Sequence, residues 1–289
     1  MAHPTDTAAW QEIGWNGIRL QVPAPWHPAV ILERYLLFEE DYRPVFEIRW
    51  EETGGRFSAA QVLAKLKRSL GDHPLVPWQP PPEWLAAFAG WQAHGFQWCQ
   101  GATGGPGLLL YNSATARSVL LRFHPAGNTG DEHCAPLLNS LRLQAPGKEH
   151  LWAVFDIRAL LPARTRLLGQ RFLPGSFTID FRLDHLFVSL LRFRPAAELL
   201  RGRSLADFGD RLARGTCQVR DTGPRECTWQ SDDSIPRRIL RRLQRRKACH
   251  LLTVWQIPEK NVILGLRCAS NRAIPHDLVQ AIRQRYTAS

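Results

Sequence analysis

Gly17-Ile18-Arg19-Leu20-Gln21-Val22-Pro23-Ala24 returns later in the chain as Asp156-Ile157-Arg158-Ala159-Leu160-Leu161-Pro162-Ala163. Each copy is an extended, strand-length segment, and each ends at a proline, which cannot donate to a ladder and so closes a strand. The copies stand 139 residues apart, and three further blocks keep nearly that spacing in the same order. Arg49-Trp50 falls on Arg192-Phe193, and Leu108-Leu109 with Val119-Leu120-Leu121 falls on Leu251-Leu252 with Val262-Ile263-Leu264, both at 143. Leu137-Leu138 and Leu141-Arg142 fall on Leu278-Val279 and Ile282-Arg283 at 141. Chance apolar matches scatter in offset, and a period this long is a domain rather than a solenoid unit. The expectation is an internal duplication, with domains at residues 1–149 and 150–289; the competing reading is two unrelated domains sharing generic strand patterns.

Working outward, each half repeats one order of elements. Strands at Tyr35–Phe38 and Val45–Trp50 have counterparts at Phe177–Phe181 and Leu186–Phe193. A helix follows, capped by Ser58 with Val62, Leu63 and Leu66 on one face, or capped by Ser204 with Leu205, Phe208 and Leu212 on one face. A strand at Phe96–Cys99 or Cys227–Gln230 comes next, then a hairpin, then a closing helix at Cys134–Leu141 or Pro275–Arg285. The class expected is α+β: two tandem antiparallel-sheet sandwiches with helices packed on the sheet.

This order resembles the Mog/PsbP-like α/β/α sandwich. The likeness is carried by Pro23-Ala24-Pro25-Trp26 after the first strand and by the closing Leu138-Asn139-Ser140-Leu141-Arg142. In the second half Thr165 stands in place of Trp26 and Ala281 in place of Ser140. The resemblance implies an interaction module, since members of that fold include photosystem extrinsic subunits and a small-GTPase import factor. It brings no general catalytic site, and so implies a protein that is not an enzyme.

Charge separates the halves. Up to Glu149 there are 12 Lys and Arg against 14 Asp and Glu, a net of −2; the remainder has 25 against 12, a net of +13. The start, Met1-Ala2-His3-Pro4-Thr5-Asp6, has neither a basic nor an apolar region of a signal peptide, and no apolar run is long enough to span a membrane. Six cysteines without a CxxC pair suit reduced thiols. These features lead to the expectation of a cytoplasmic protein.

Each half also carries an insertion that the other lacks. In the first it is a Trp/Pro-rich stretch at about 73–92, in which Pro80–Pro82 forbid helix and Pro82 suits the first turn of a helix Glu83–Gln92. Trp84, Leu85, Phe88 and Trp91 then form one apolar stripe, which either lids the core or, with Trp78, makes a protein-docking surface. In the second half the insertion is a basic helix at about 234–247, capped by Ser234. Arg237, Arg241 and Arg245 align at i, i+4 and i+8, with Arg238, Arg242 and Arg246 beside them and Lys247 at the end. Guanidinium forks suit carboxylates and phosphates, and like charges at this spacing repel unless an anion or packing holds them. Three readings compete: a basic helix left solvated or paired within the chain with the acidic run Glu39, Glu40, Asp41, Glu47, Glu51 and Glu52, a site for the backbone of a nucleic acid or another polyanion, or a surface that docks on a membrane or an acidic protein. No sequence-reading motif accompanies the run.

No other stretch of the sequence carries a motif for catalysis or metal binding. Gln100–Gly107 reads as a Gly-rich connection and lacks the Lys-Ser/Thr ending of a phosphate loop. His124 and His133-Cys134 fit no standard zinc spacing, and Cys249-His250, as strand neighbours, point to opposite faces. No cofactor or metal is expected. The reading is a non-enzymatic adaptor or assembly protein that holds an acidic partner through the Arg-rich helix; the alternative is a nucleic-acid-binding protein without sequence specificity.

Overall fold

The computed structural model describes residues 9–54, 56–71, 73–100, 103–124, 131–145, 147–213, 217–231 and 249–288. The protein is of the α+β class, with antiparallel sheets and helices packed on them. It divides into two compact units, Met1–Gln144 and Ala145–Ser289. The division comes a few residues before the 149/150 boundary expected from sequence, because Glu149 already pairs with Pro162 in the first hairpin of the second unit.

The first unit opens with β1 (Trp10–Trp15) and β2 (Ile18–Pro23), joined through Asn16 and Gly17 at φ of 38° and 94°. Two left-handed residues are what a two-residue hairpin turn requires, and Asn-Gly tolerates them best. β3 (His27–Leu32), β4 (Tyr35–Glu40) and β5 (Arg43–Glu52) follow as a meander. Then come α1 (Ala59–Ser69), β6 (Leu75–Pro77), α2 (Pro82–Leu85), β7 (Gln92–Gln100), β8 (Thr103–Asn112), β9 (Arg117–Phe123), α3 (Asp131–Ser140) and β10 (Arg142–Leu143). The large sheet runs β3-β4-β5-β9-β8-β7-β6, and β2 pairs with β1 on one side and β10 on the other.

The large sheet is covered on both faces, so its inner strands are apolar on both. On one face α1 lays Val62, Leu63, Leu66 and the following Leu70 on Phe96, Trp98, Leu109 and Leu120. On the other, Phe46 lies between Phe38, Phe123 and Trp26, with Trp84 against Phe123. Each fully buried ring or leucine there contributes roughly 2 kcal/mol of transfer free energy.

The second unit has β11 (Glu149–Val154), β12 (Ile157–Pro162), β13 (Arg166–Leu173), β14 (Ser176–Leu183), β15 (Leu186–Phe193), α4 (Ala196–Leu200) and α5 (Leu205–Ala213). β16 (Gln218–Thr222), β17 (Glu226–Gln230), β18 (Cys249–Ile257), β19 (Val262–Ser270), a helix His276–Gln284 and β20 (Tyr286–Ala288) complete it. Its large sheet runs β13-β14-β15-β19-β18-β17-β16, strand for strand the order of the first unit. β12 pairs with β11 and β20, as β2 does with β1 and β10. Gly209 of α5 sits on Trp229, where a Cβ would meet the ring at 1.9 Å.

Counted outward from the turns, the pairing register gives a residue correspondence that differs slightly from the sequence matches. Arg192 answers to Trp50, one residue from the match with Arg49, and Val262 answers to Arg117, two residues from the match with Val119. The odd shift matters, because a one-residue slip exchanges the faces of a strand. Trp50 and Arg192 both turn toward the first hairpin of their unit: Trp50 Nε1 donates to the Asn16 carbonyl at 3.0 Å, and Arg192 Nε donates to Asp156 at 2.9 Å.

Candidate functional site

The basic run Arg237, Arg238, Arg241, Arg242, Arg245, Arg246 and Lys247 lies outside the described residues. Among the described residues, the second unit also exposes basic side chains. Arg166 and Arg171 of the edge strand β13 are exposed, as are Arg164 before it and Arg182 on β14. Leu168 and Leu173 on the same edge strand are also exposed, at 53% and 48%. Arg192 of β15 is buried, paired with Asp156 and stacked 4.5 Å over Phe177.

The tryptophan insertion takes a different form from the expected helix Glu83–Gln92. Four helical residues, Pro82–Leu85, pass into a 3-10 turn at Ala86–Phe88, Gly90 takes φ of 80°, and β7 begins at Gln92. A left-handed glycine ends a helix, so the stripe is cut before Trp91. Trp84 and Phe88 are inside, at 1% and 4% exposure, which removes them from any docking surface. Trp84 sits 5.3 Å from Trp78 and 5.2 Å from Phe123, and Phe88 sits 5.4 Å from Trp91. Trp78 and Trp91 are half-buried around them. The segment packs on α3 and closes the core of the first unit.

The Gly-rich stretch is strand rather than connection. β8 begins at Thr103, and Gly107 pairs with Phe96, whose ring lies 2.3 Å from where a Cβ would be. Glycine there lets the aromatic ring cross the neighbouring strand.

The polar group that sequence reasoning missed is on β5. Glu47 is 4% exposed. Its Oε1 accepts from Arg122 Nε at 2.7 Å and from His124 Nε2 at 3.0 Å, and its Oε2 accepts from the Tyr35 hydroxyl at 2.8 Å. Trp98 completes the group, with the Arg122 guanidinium 4.8 Å over its ring and His124 edge-on at 4.8 Å. Burial works to raise the Glu47 carboxyl; the His124 hydrogen bond, the Arg122 charge and the Tyr35 hydroxyl outweigh it and hold the carboxyl below its usual value. Burial and the Glu47 charge push the Tyr35 hydroxyl upward. With three donors on its two oxygens, this carboxylate is engaged rather than poised as a base, and it ties β4, β5 and β9 together. In sequence Glu47 looked like one member of an acidic run. The signal that could have found it is the alternation of β5, where Phe46 and Ile48 face one way and Glu47 the other.

Two more members of that run, Glu51 and Glu52, are also neutralised within their own unit. Glu51 pairs with Arg49 at 2.5 Å and Glu52 with Arg117 at 3.3 Å. His133 packs edge-on against Trp10 and Trp26, and among the described residues no three His, Cys, Asp or Glu side chains are grouped to hold a metal ion. None of the six cysteines forms a disulfide.

Comparison with known proteins adds little. No family model matches the chain, and no curated protein matches it. Among solved structures, the crystal structure of MucB in complex with MucA(peri) is similar over 99% of this chain and 85% of that one, at 12% identity and a TM-score of 0.23. A likeness at that score carries no argument about this chain.

Proposed function

We propose that the protein is a non-enzymatic adaptor or assembly protein, built from two duplicated Mog/PsbP-like sandwiches, whose second unit holds an acidic partner. The observation that carries this is the net charge of +13 on residues 150–289 beside −2 on the rest. Such a field speeds encounter with an acidic surface and selects against basic ones. The contact is assigned to Arg237, Arg238, Arg241, Arg242, Arg245, Arg246 and Lys247, and the exposed Arg164, Arg166, Arg171 and Arg182 add to the positive field of the same unit. Support for a partner inside the first unit is weaker, since Glu47, Glu51 and Glu52 already have arginines of their own. Cysteines without disulfides fit a reducing compartment such as the cytoplasm. Among the described residues no helix is long and apolar enough to cross a membrane.

The test compares an acidic peptide with single- and double-stranded nucleic acid, each labelled, across a salt series. Wild type should bind the peptide at low salt and lose it as salt rises. Changing Arg238, Arg242 and Arg246 together to Glu should abolish that binding. Tighter, salt-steep binding of both nucleic acids than of the peptide would replace the adaptor reading with a backbone-binding one.

A further inference from the structure

The two units differ where the first turns of their long helix meet the sheet. In the second unit Leu191, Phe193, Phe208, Val254 and Ile263 form one packed cluster there, with the Phe193 and Phe208 rings 5.1 Å apart. The matching register positions in the first unit are Arg49, Glu51, Val62, Leu109 and Ser118. Two aromatic rings are thus replaced by a carboxylate and a valine, and a leucine by an arginine. What remains is a cavity of about 130 Å³, open to solvent on one side. Val62 and Leu66 of α1 and Leu109 and Leu120 of the sheet form its apolar wall; Arg49 and Lys65 stand at its rim.

From this the geometry points to a ligand site: we propose that the α1 groove of the first unit binds a small carboxylic acid with an apolar body no larger than a phenyl ring or a short branched chain. Size sets the body, since apolar cavities of roughly 150 Å³ admit benzene. Charge sets the head. Arg49 is already paired with Glu51, while Lys65 has no ion pair among the described residues, so the rim carries one positive charge in excess. An acid entering body first leaves its carboxylate beside the ammonium and the outer guanidinium edge, both still in contact with water. This site is independent of the basic second unit and stands or falls apart from it.

The experiment is a methyl and amide NMR titration of the full chain with phenylacetate, and with phenylacetamide as the neutral match. Saturable shifts at Val62, Leu66, Leu109 and Leu120, stronger for the acid, are expected. Val62→Phe, which installs the second unit's residue, should abolish them while the thermal midpoint holds or rises; Ser118→Ile supplies a second filling variant should the first not fold. Lys65→Gln should weaken the acid about threefold and leave the amide unchanged. No saturable shift in wild type, or unchanged binding in a folded filling variant, overturns the site. Equal binding of acid and amide, unmoved by Lys65→Gln, overturns the assignment to acids.

Discussion

At the scale of single residues, the first unit concentrates risk in Glu47. Removing one member of a buried, hydrogen-bonded ion pair leaves the other uncompensated, so Glu47→Ala should cost about 3 kcal/mol in chemical denaturation. The pH dependence has a definite sign. A carboxyl held below its usual value of 4.5 contributes stability that is full above that value and is lost as pH falls through its lowered value in the fold. The gap between wild type and Glu47→Gln should therefore be widest near neutrality and shrink below about pH 4.5; a gap constant with pH would show that the carboxylate charge does not contribute. Gly209 is the second unit's sensitive point. A methyl there would meet Trp229 at 1.9 Å, and Trp229 is fixed in turn by Nε1 donating to Asp210 at 2.6 Å. Gly209→Ala should destabilise by about 1–3 kcal/mol despite alanine's better helix propensity, because overpacking outweighs it.

At the scale of elements, the two long helices begin alike in sequence and differ in strength. Ser204 Oγ accepts from the Asp207 amide at 3.0 Å, and Asp207 accepts back from the Ser204 amide at 2.9 Å and hydroxyl at 2.7 Å, a reciprocal box. Ser58 accepts from Gln61 at 3.4 Å alone. Ser204→Ala should then cost about 1 kcal/mol and Ser58→Ala distinctly less, read as two thermal midpoints. Both helices were legible, because a capping serine precedes apolar residues at helical spacing. So were β2, β4, β5, β7, β9 and their counterparts, whose apolar residues recur at strand spacing. The edge strands β3 and β13 were not. β3 holds Pro28 and leaves Val30 and Leu32 exposed, and β13 is half-exposed along its length, so neither shows a buried face to read. The 83–92 segment misled in the other direction: its apolar spacing is helical, but Gly90 and the pairing of Gln92 with Tyr111 break the helix. The Glu47 group was hidden because its partners come from three strands, and only the sheet register brings Arg122 opposite Glu47.

At the scale of the whole chain, order and charge tell different stories. The strand order is the same in both units, while the net charge differs by sign. A fragment covering 145–289 should retain the binding of an acidic peptide and one covering 1–144 should not, measured by anisotropy at low salt; the reverse result would detach the charge division from function. The shared strand order also bears on how the chain reaches its native state. The shared strand order offers β5 two strands of similar length and direction, β9 and β19, and a repeated topology in one polypeptide is prone to wrong assembly. The side chains arbitrate. With β9, Arg49 and Glu51 face Leu120 and Ser118 at an open rim; with β19, they would stand in the place of Leu191 and Phe193, driving charges into an apolar cluster. The difference between the units on that one face would then act as a sorting code for folding. Copying Leu and Phe into positions 49 and 51 should leave the native fold attainable and yet raise the fraction of chains that refold slowly or aggregate.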